Sequence, residues 1–192
     1  MNTSTSFYIG LVLVVAIQRL LELRLSKHNT QRLLDQGAIE VGSGHYPVMA
    51  SLHTIWLFAC VGEAVWRDQT PPVVLVVTGL TLLTAGQALR LIAIKTLGPR
   101  WTTRIIVLPH ARVVNEGIFR FIRHPNYLGV VLEIAALPLI FGGWVTAVMF
   151  SIANAWLLLV RIRTEETELS RLNNYEATFE DKNRFLPIGR TS

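Results

Sequence analysis

A disulfide framework is closed to this chain, because it holds a single cysteine, Cys60, set in an apolar run. The five histidines are scattered without matching companions, so no metal site is expected among His45, His53, His110 and His124. Charge is scarce as well. Asp, Glu, Lys and Arg make up 16% of the 192 residues, against about 25% for a soluble domain, so much of the surface does not face water. No Gly-x-Gly-x-x-Gly, P-loop or Gly-x-Ser-x-Gly occurs, which leaves a Rossmann nucleotide site and a hydrolase elbow without support. Met1–Ser6 has no basic segment and no clear small-residue cleavage site follows, so no cleavable leader is expected. No Gly-x-x-x-Gly pair stands out either, and oligomeric state is not readable.

What the chain does have is apolar length. Its hydrophobic fraction is 51% and its mean hydropathy is +0.42. A net charge of +5 would suit nucleic acid on a polar domain. Here the basic residues flank apolar runs, a pattern that fits the rim of a membrane protein and no nucleic-acid partner. The expected fold is a single domain over 1–192, an all-α integral membrane protein with about five transmembrane helices. The spans fall at about 7–25, 48–65, 73–94, 127–141 and 144–160, the last two forming a helical hairpin broken at Gly142-Gly143. Both hairpin arms are short, so tilt, local thinning or a partly re-entrant pair is open. Gln18, Arg19 and Glu22 interrupt the first span as a polar strip, expected to snorkel to the interface, with the bundle interior as the alternative. The segment 26–46 is expected as a polar connector.

Basic residues set the orientation. Arg24, Lys27 and Arg32 follow the first span, and a second group from Lys95 to Arg123 follows the third. A third group from Arg161 to Arg190 follows the hairpin, whereas only Arg67 lies between spans two and three. Five crossings with the N-terminus outside put all three groups, and the C-terminus, on the cytoplasmic side.

The segment Arg123-His124-Pro125-Asn126-Tyr127 lies where a loop becomes a membrane helix. Pro125 suits a first helical turn, where its missing N–H is not needed. The free N–H groups there, with Arg123 and His124, make a polar pocket suited to a carboxylate or phosphate; an interfacial anchor is the alternative. Glu133 is placed well inside an apolar arm, so it faces a cavity or pairs with Arg90 or Gln87. Arg163, Glu165 and Glu166 leave the second arm on the same face as His124. Their carboxylates suit a cation or ribose hydroxyls and Arg163 an anion, unless they are merely a solvated helix start.

Taken together, Val113-Val114-Asn115-Glu116-Gly117-Ile118-Phe119, Arg123-His124-Pro125-Asn126-Tyr127-Leu128-Gly129 and Arg161-Ile162-Arg163-Thr164-Glu165-Glu166 resemble the isoprenylcysteine carboxyl methyltransferase family of membrane enzymes. The resemblance covers about the last half of the chain and is specific only as a combination. It implies S-adenosylmethionine as cofactor, bound by segments near 111–127 and 161–169, and a lipophilic small-molecule acceptor reaching the site from membrane lipid. Val114, Gly117, Phe119, His124, Pro125, Tyr127 and Glu166 would line the cofactor site, with Arg123, Asn126 and Glu165 among them, and Arg163 would stand near the acceptor.

In the N-terminal half, Gln18-Arg19-Leu20-Leu21-Glu22-Leu23, Gln36-Gly37-Ala38-Ile39-Glu40 and His45-Tyr46 look like a bacterial branch. That branch O-methylates alkylpyrones or alkylresorcinols, and the resemblance implies the bacterial inner membrane as location. A carboxylate acceptor needs no base. A phenol or enol would, and His53 or Glu133 would supply it, with Arg163 steadying the oxyanion. Two other readings remain at this point: an NADPH-dependent sterol-type reductase, which shares a similar Arg-His-Pro-Asn-Tyr segment, and a non-enzymatic lipid-binding or transport protein.

Overall fold

The computed structural model describes residues 2–187; Arg190, the last of the third basic group, lies outside the described residues. The chain order is α1 (Thr3–Asp35), β1 (Ile39–Val41), α2 (His45–Arg67), α3 (Val73–Leu97), β2 (Ile105–Val107), α4 (Pro125–Ile140), α5 (Trp144–Leu172) and α6 (Tyr175–Phe179). Four helices, α1, α2, α3 and α5, are long and apolar enough to cross a bilayer. Side chains such as Phe7, Leu13, Phe58, Val74, Ile152 and Trp156 point outward from them. A water-facing surface would not carry such a belt; lipid explains it.

Two helices run past their expected ends. The 33 residues of α1 make roughly 50 Å of helix and the 29 of α5 roughly 43 Å, both longer than about 30 Å of hydrocarbon. Much of the expected 26–46 connector is therefore helix. The remainder holds β1, which pairs antiparallel with β2 so that Ile39 faces Val107 and Val41 faces Ile105. This small clasp was not expected from sequence. By contrast α4, the expected span 127–141, has 16 residues and reaches only roughly 24 Å.

The two ends of the bundle differ. At one, Asn2 caps α1 and its backbone N–H reaches Asp68 of the α2–α3 turn at 2.9 Å. The α4–α5 turn lies at this end too, where the N–H of Thr146 donates to Glu63 at 2.8 Å. A carboxylate on helix-start donors that have no partner within the helix is favourable for charge reasons as well. The opposite end gathers the β clasp, the 98–124 loop and the C-terminal segment, whose Asn183 carbonyl accepts from the N–H of Arg123 at 3.1 Å.

Packing between α3 and α4 is close because glycines meet there. A Cβ on Gly129 would lie 2.7 Å from the Gly86 carbonyl oxygen and 2.5 Å from Cγ of Arg90. Small residues allow this backbone approach where no water is expelled to drive association. Lower in α4, Pro138 removes the N–H that would serve the Ile134 carbonyl. The indole N–H of Trp56 on α2 donates to that carbonyl at 3.2 Å. The Tyr8 hydroxyl on α1 likewise donates to the Leu137 carbonyl at 3.0 Å. Each neighbour thus satisfies a backbone oxygen that lipid cannot.

The polar strip of α1 turns inward, contrary to the snorkelling expectation. Glu22 is buried and pairs with Arg90, Gln18 bonds Gln87 and Glu22, and Arg19 pairs with Glu133. Glu133, fully buried, also lies 3.0 Å from Nε of Arg90. Two arginines and two glutamates balance each other at the centre of the bundle. The physical reason is cost: in hydrocarbon a partnered charge network is cheaper than single charges reaching for distant water.

Candidate active site

The loop preceding α4 builds the site. Pro125 opens α4 at its first turn, as its fixed φ favours. His124, just before it, is buried, and its Nε2 lies 3.0 Å from Oε1 of Glu166 on α5. A carboxylate only accepts, so that nitrogen carries the proton. One helical turn along α4, the Tyr127 hydroxyl donates to Glu165 at 2.7 Å. Adjacent α5 carboxylates are thus each engaged by a side chain from the Arg-His-Pro-Asn-Tyr segment.

The C-terminal segment closes over this cluster. Arg123 donates to the carbonyls of Lys182 at 2.7 Å and Phe179 at 2.6 Å. Arg184 reaches Glu166 at 3.1 Å through Nε, and those bonds push its guanidinium pKa up. Tyr175 packs under the same roof with its hydroxyl 3.4 Å from His124. Burial, and then the charges of Glu165 and Glu166, push that phenol up, so it stays protonated.

A cavity of about 460 Å³ runs from this cluster into the bundle. Of the residues singled out from sequence, Val114, Phe119, Arg123, His124, Pro125, Asn126, Tyr127, Glu165 and His53 line it. Gly117, Glu133, Glu166 and Arg163 do not. Gly117 has φ +52° and abuts Thr96, Glu133 lies in the central ion network, Glu166 stands behind His124, and Arg163 is exposed. Sequence reasoning missed Arg161, two residues earlier on α5, which is buried and lines the cavity. It also missed Asn154, likewise buried and lining. A polar amide in the apolar run 144–160 was the available signal for Asn154; for Arg161, helix phase decides, and phase is not evident where a span leaves the membrane.

The sequence model of the isoprenylcysteine carboxyl methyltransferase family matches residues 78–171, which hold most of α3, the loop, α4 and nearly all of α5. Protein-S-isoprenylcysteine O-methyltransferase B of Arabidopsis thaliana is 30% identical over 95 residues, 48% of each chain. The chain belongs to the isoprenylcysteine carboxyl methyltransferase family. Membership points to a membrane methyltransferase and does not favour the reductase reading. Two bacterial relatives match lengths that reach into the N-terminal half. The uncharacterized protein YpbQ of Bacillus subtilis is 35% identical over 159 residues, 83% of this chain and 94% of the relative. An uncharacterized Haemophilus influenzae protein is 28% identical over 80% of this chain and 90% of its own length.

Proposed function

We propose that the protein is an S-adenosylmethionine-dependent O-methyltransferase acting on a lipophilic acceptor at the membrane. The observation that carries this is the single cavity joining the His124–Tyr127–Glu165 cluster to the apolar interior. The residues present suit the cofactor. Phe119, Phe179 and Val114 offer apolar walls for an adenine ring, Glu165 faces the cavity with a carboxylate, and buried Oδ1 of Asn126 lacks a partner. When bound, S-adenosylmethionine supplies a methyl group on a sulfonium sulfur, transferred to an acceptor oxygen as the S–C bond breaks with its electron pair kept by sulfur. The chain's own part is positioning and exclusion of water. Arg123, by fastening the 179–183 carbonyls, keeps the roof over the cluster, and Glu166 fixes the His124 ring.

Two acceptor classes suit the reading. One is the hydroxyl of an alkylpyrone or alkylresorcinol, as the resemblance to a bacterial branch implies; the other is a prenylcysteine-like carboxylate, since the Arabidopsis relative is named for isoprenylcysteine. For a hydroxyl, His53 is the lining residue placed to take its proton. Arg163 and Glu133, off the cavity wall, would act on the acceptor only through neighbours. The distribution of arginines and lysines supports a cytoplasmic position for the basic end of the bundle and the site, and the resemblance to a bacterial branch supports the inner membrane. Labelled S-adenosylmethionine, incubated with purified protein and each acceptor class, should yield a labelled lipid ether or ester. No transfer to either class, in protein that unfolds cooperatively, would contradict the reading.

A further inference from the structure

A second cavity of about 440 Å³ opens at the basic end of the bundle, on the outer side of the loop that precedes α4. Arg32 and Gln36 at the end of α1, Thr96 of α3 and Asn115 of the loop line it, and none of them lines the larger cavity. Arg100, in the turn after α3, and Arg112, in the loop, border both. Arg100 donates to the Arg112 carbonyl, which ties the turn to the loop. Three guanidiniums therefore share one wall with a single carboxylate, Glu116. Among the described residues none of these four side chains forms an ion pair. Asn115 accepts from Lys182, which brings a fourth cation to the rim.

The end of α1 accounts for Arg32 by itself, since a cation is favoured in a last helical turn. It does not account for Arg112, which the loop carries to the same wall. Like charges brought together repel, and an anion between them relieves the excess. Depth says which anion. Outward-facing apolar side chains begin at Phe7 on α1 and at Val73 on α3. Arg32 and Leu97 stand roughly 37 Å and 36 Å further along those helices. Hydrocarbon covers about 30 Å and the whole bilayer with its headgroups about 40–45 Å, so the cavity lies at headgroup level. One turn nearer the bilayer centre, on the Thr96 face of α3, Ile92 is exposed where an acyl chain would run.

We propose that this second cavity seats the headgroup phosphate of an anionic phospholipid, with Arg32, Arg100 and Arg112 as its counter-charges. Guanidinium forks match phosphate oxygens, and basic pockets between transmembrane helices take such headgroups. Leu97 and Val113 of the same wall meet the apolar part of the lipid below the phosphate. The seat stands independently of the methyl transfer proposed above. Val113 and Val114 line both cavities, so a headgroup held outside also braces the loop that walls the larger one.

The test is native mass spectrometry of the full chain released from nonionic detergent, with dioleoyl phosphatidylglycerol and dioleoyl phosphatidylcholine as probes. Both carry a phosphodiester, and only the first carries a net negative charge. One phosphatidylglycerol should be retained at least about fivefold more tightly than phosphatidylcholine. Arg32→Gln and Arg112→Gln should each weaken it roughly fivefold and leave phosphatidylcholine unchanged. Lys27→Gln removes an exposed cation of α1 outside the cavity and should change neither. Equal retention of the two lipids by the wild type would overturn the proposal. So would a preference that survives both arginine substitutions, or one that falls as far with Lys27→Gln. Arg32 and Arg112 are exposed, so both variants should fold; if one does not, the other decides alone. Inorganic phosphate is the soluble arm. It should leave the bound lipid in place at millimolar concentration, and displacement there would assign the cavity to free phosphate and overturn the lipid seat. Arg32→Gln should leave S-adenosylmethionine binding unchanged. A loss of cofactor with the lipid retained would give Arg32 to the larger cavity and overturn the proposal as well.

Discussion

Glu133 shows how a single side chain in this bundle answers to two demands. It must be charged to balance Arg19 and Arg90, and it must be buried because α4 carries it to the centre. Glu133→Gln leaves two guanidiniums in low dielectric with one carboxylate, Glu22, between them. The expected loss of stability is about 3–5 kcal/mol, read as a lowered unfolding temperature in detergent; an unchanged temperature would mean that water reaches the pair. Trp56→Phe is a gentler case. It keeps the ring but orphans the Ile134 carbonyl freed by Pro138, and should cost about 1–3 kcal/mol in the same measurement. At the site, Glu166→Ala removes the acceptor of both His124 and Arg184. Limited proteolysis should then cut the 180–187 segment faster than in the wild type, and equal rates would show that Arg123 alone holds it.

Elements explain which parts of the fold were legible. Four helices long enough to span and the shorter α4 were visible as apolar runs, and Gly142-Gly143 marked the hairpin turn because no helix continues easily through a glycine pair. The length of α1 was not visible, since its last turns are polar and read as connector. Nor was the β clasp, three residues on each side, too short to show an alternating pattern. The inward turn of Gln18, Arg19 and Glu22 depended on partners in α3 and α4 that no local pattern reveals. The α3–α4 seam was missed for another reason: Gly79, Gly86 and Gly129 are spaced too far apart to form a short motif, yet each sits where a Cβ has no room. Gly129→Ala should therefore push α4 off α3 at a cost of about 1–3 kcal/mol, measured by thermal unfolding; a neutral result would show that the backbones at this seam can move apart without loss.

At the scale of the molecule, one end of the bundle is tight and nearly free of basic residues, and the other is open, basic and looped. The loop motif and the α5 carboxylates were readable as a combination because they share one end, which is where the structure joins them through His124–Glu166 and Tyr127–Glu165. The depth of the cavity was not readable, because its walls come from α1, α2, α4 and α5 at once. In the reaction proposed above, that geometry would let a polar cofactor from one side and a lipid from the membrane meet without water between them. The most direct test is calorimetric titration of the purified protein in detergent with S-adenosylmethionine and, separately, NADPH, for the wild type and for Glu165→Ala. Binding of S-adenosylmethionine alone, weakened by the substitution, is the predicted result. Binding of NADPH alone, or of neither, would contradict the account.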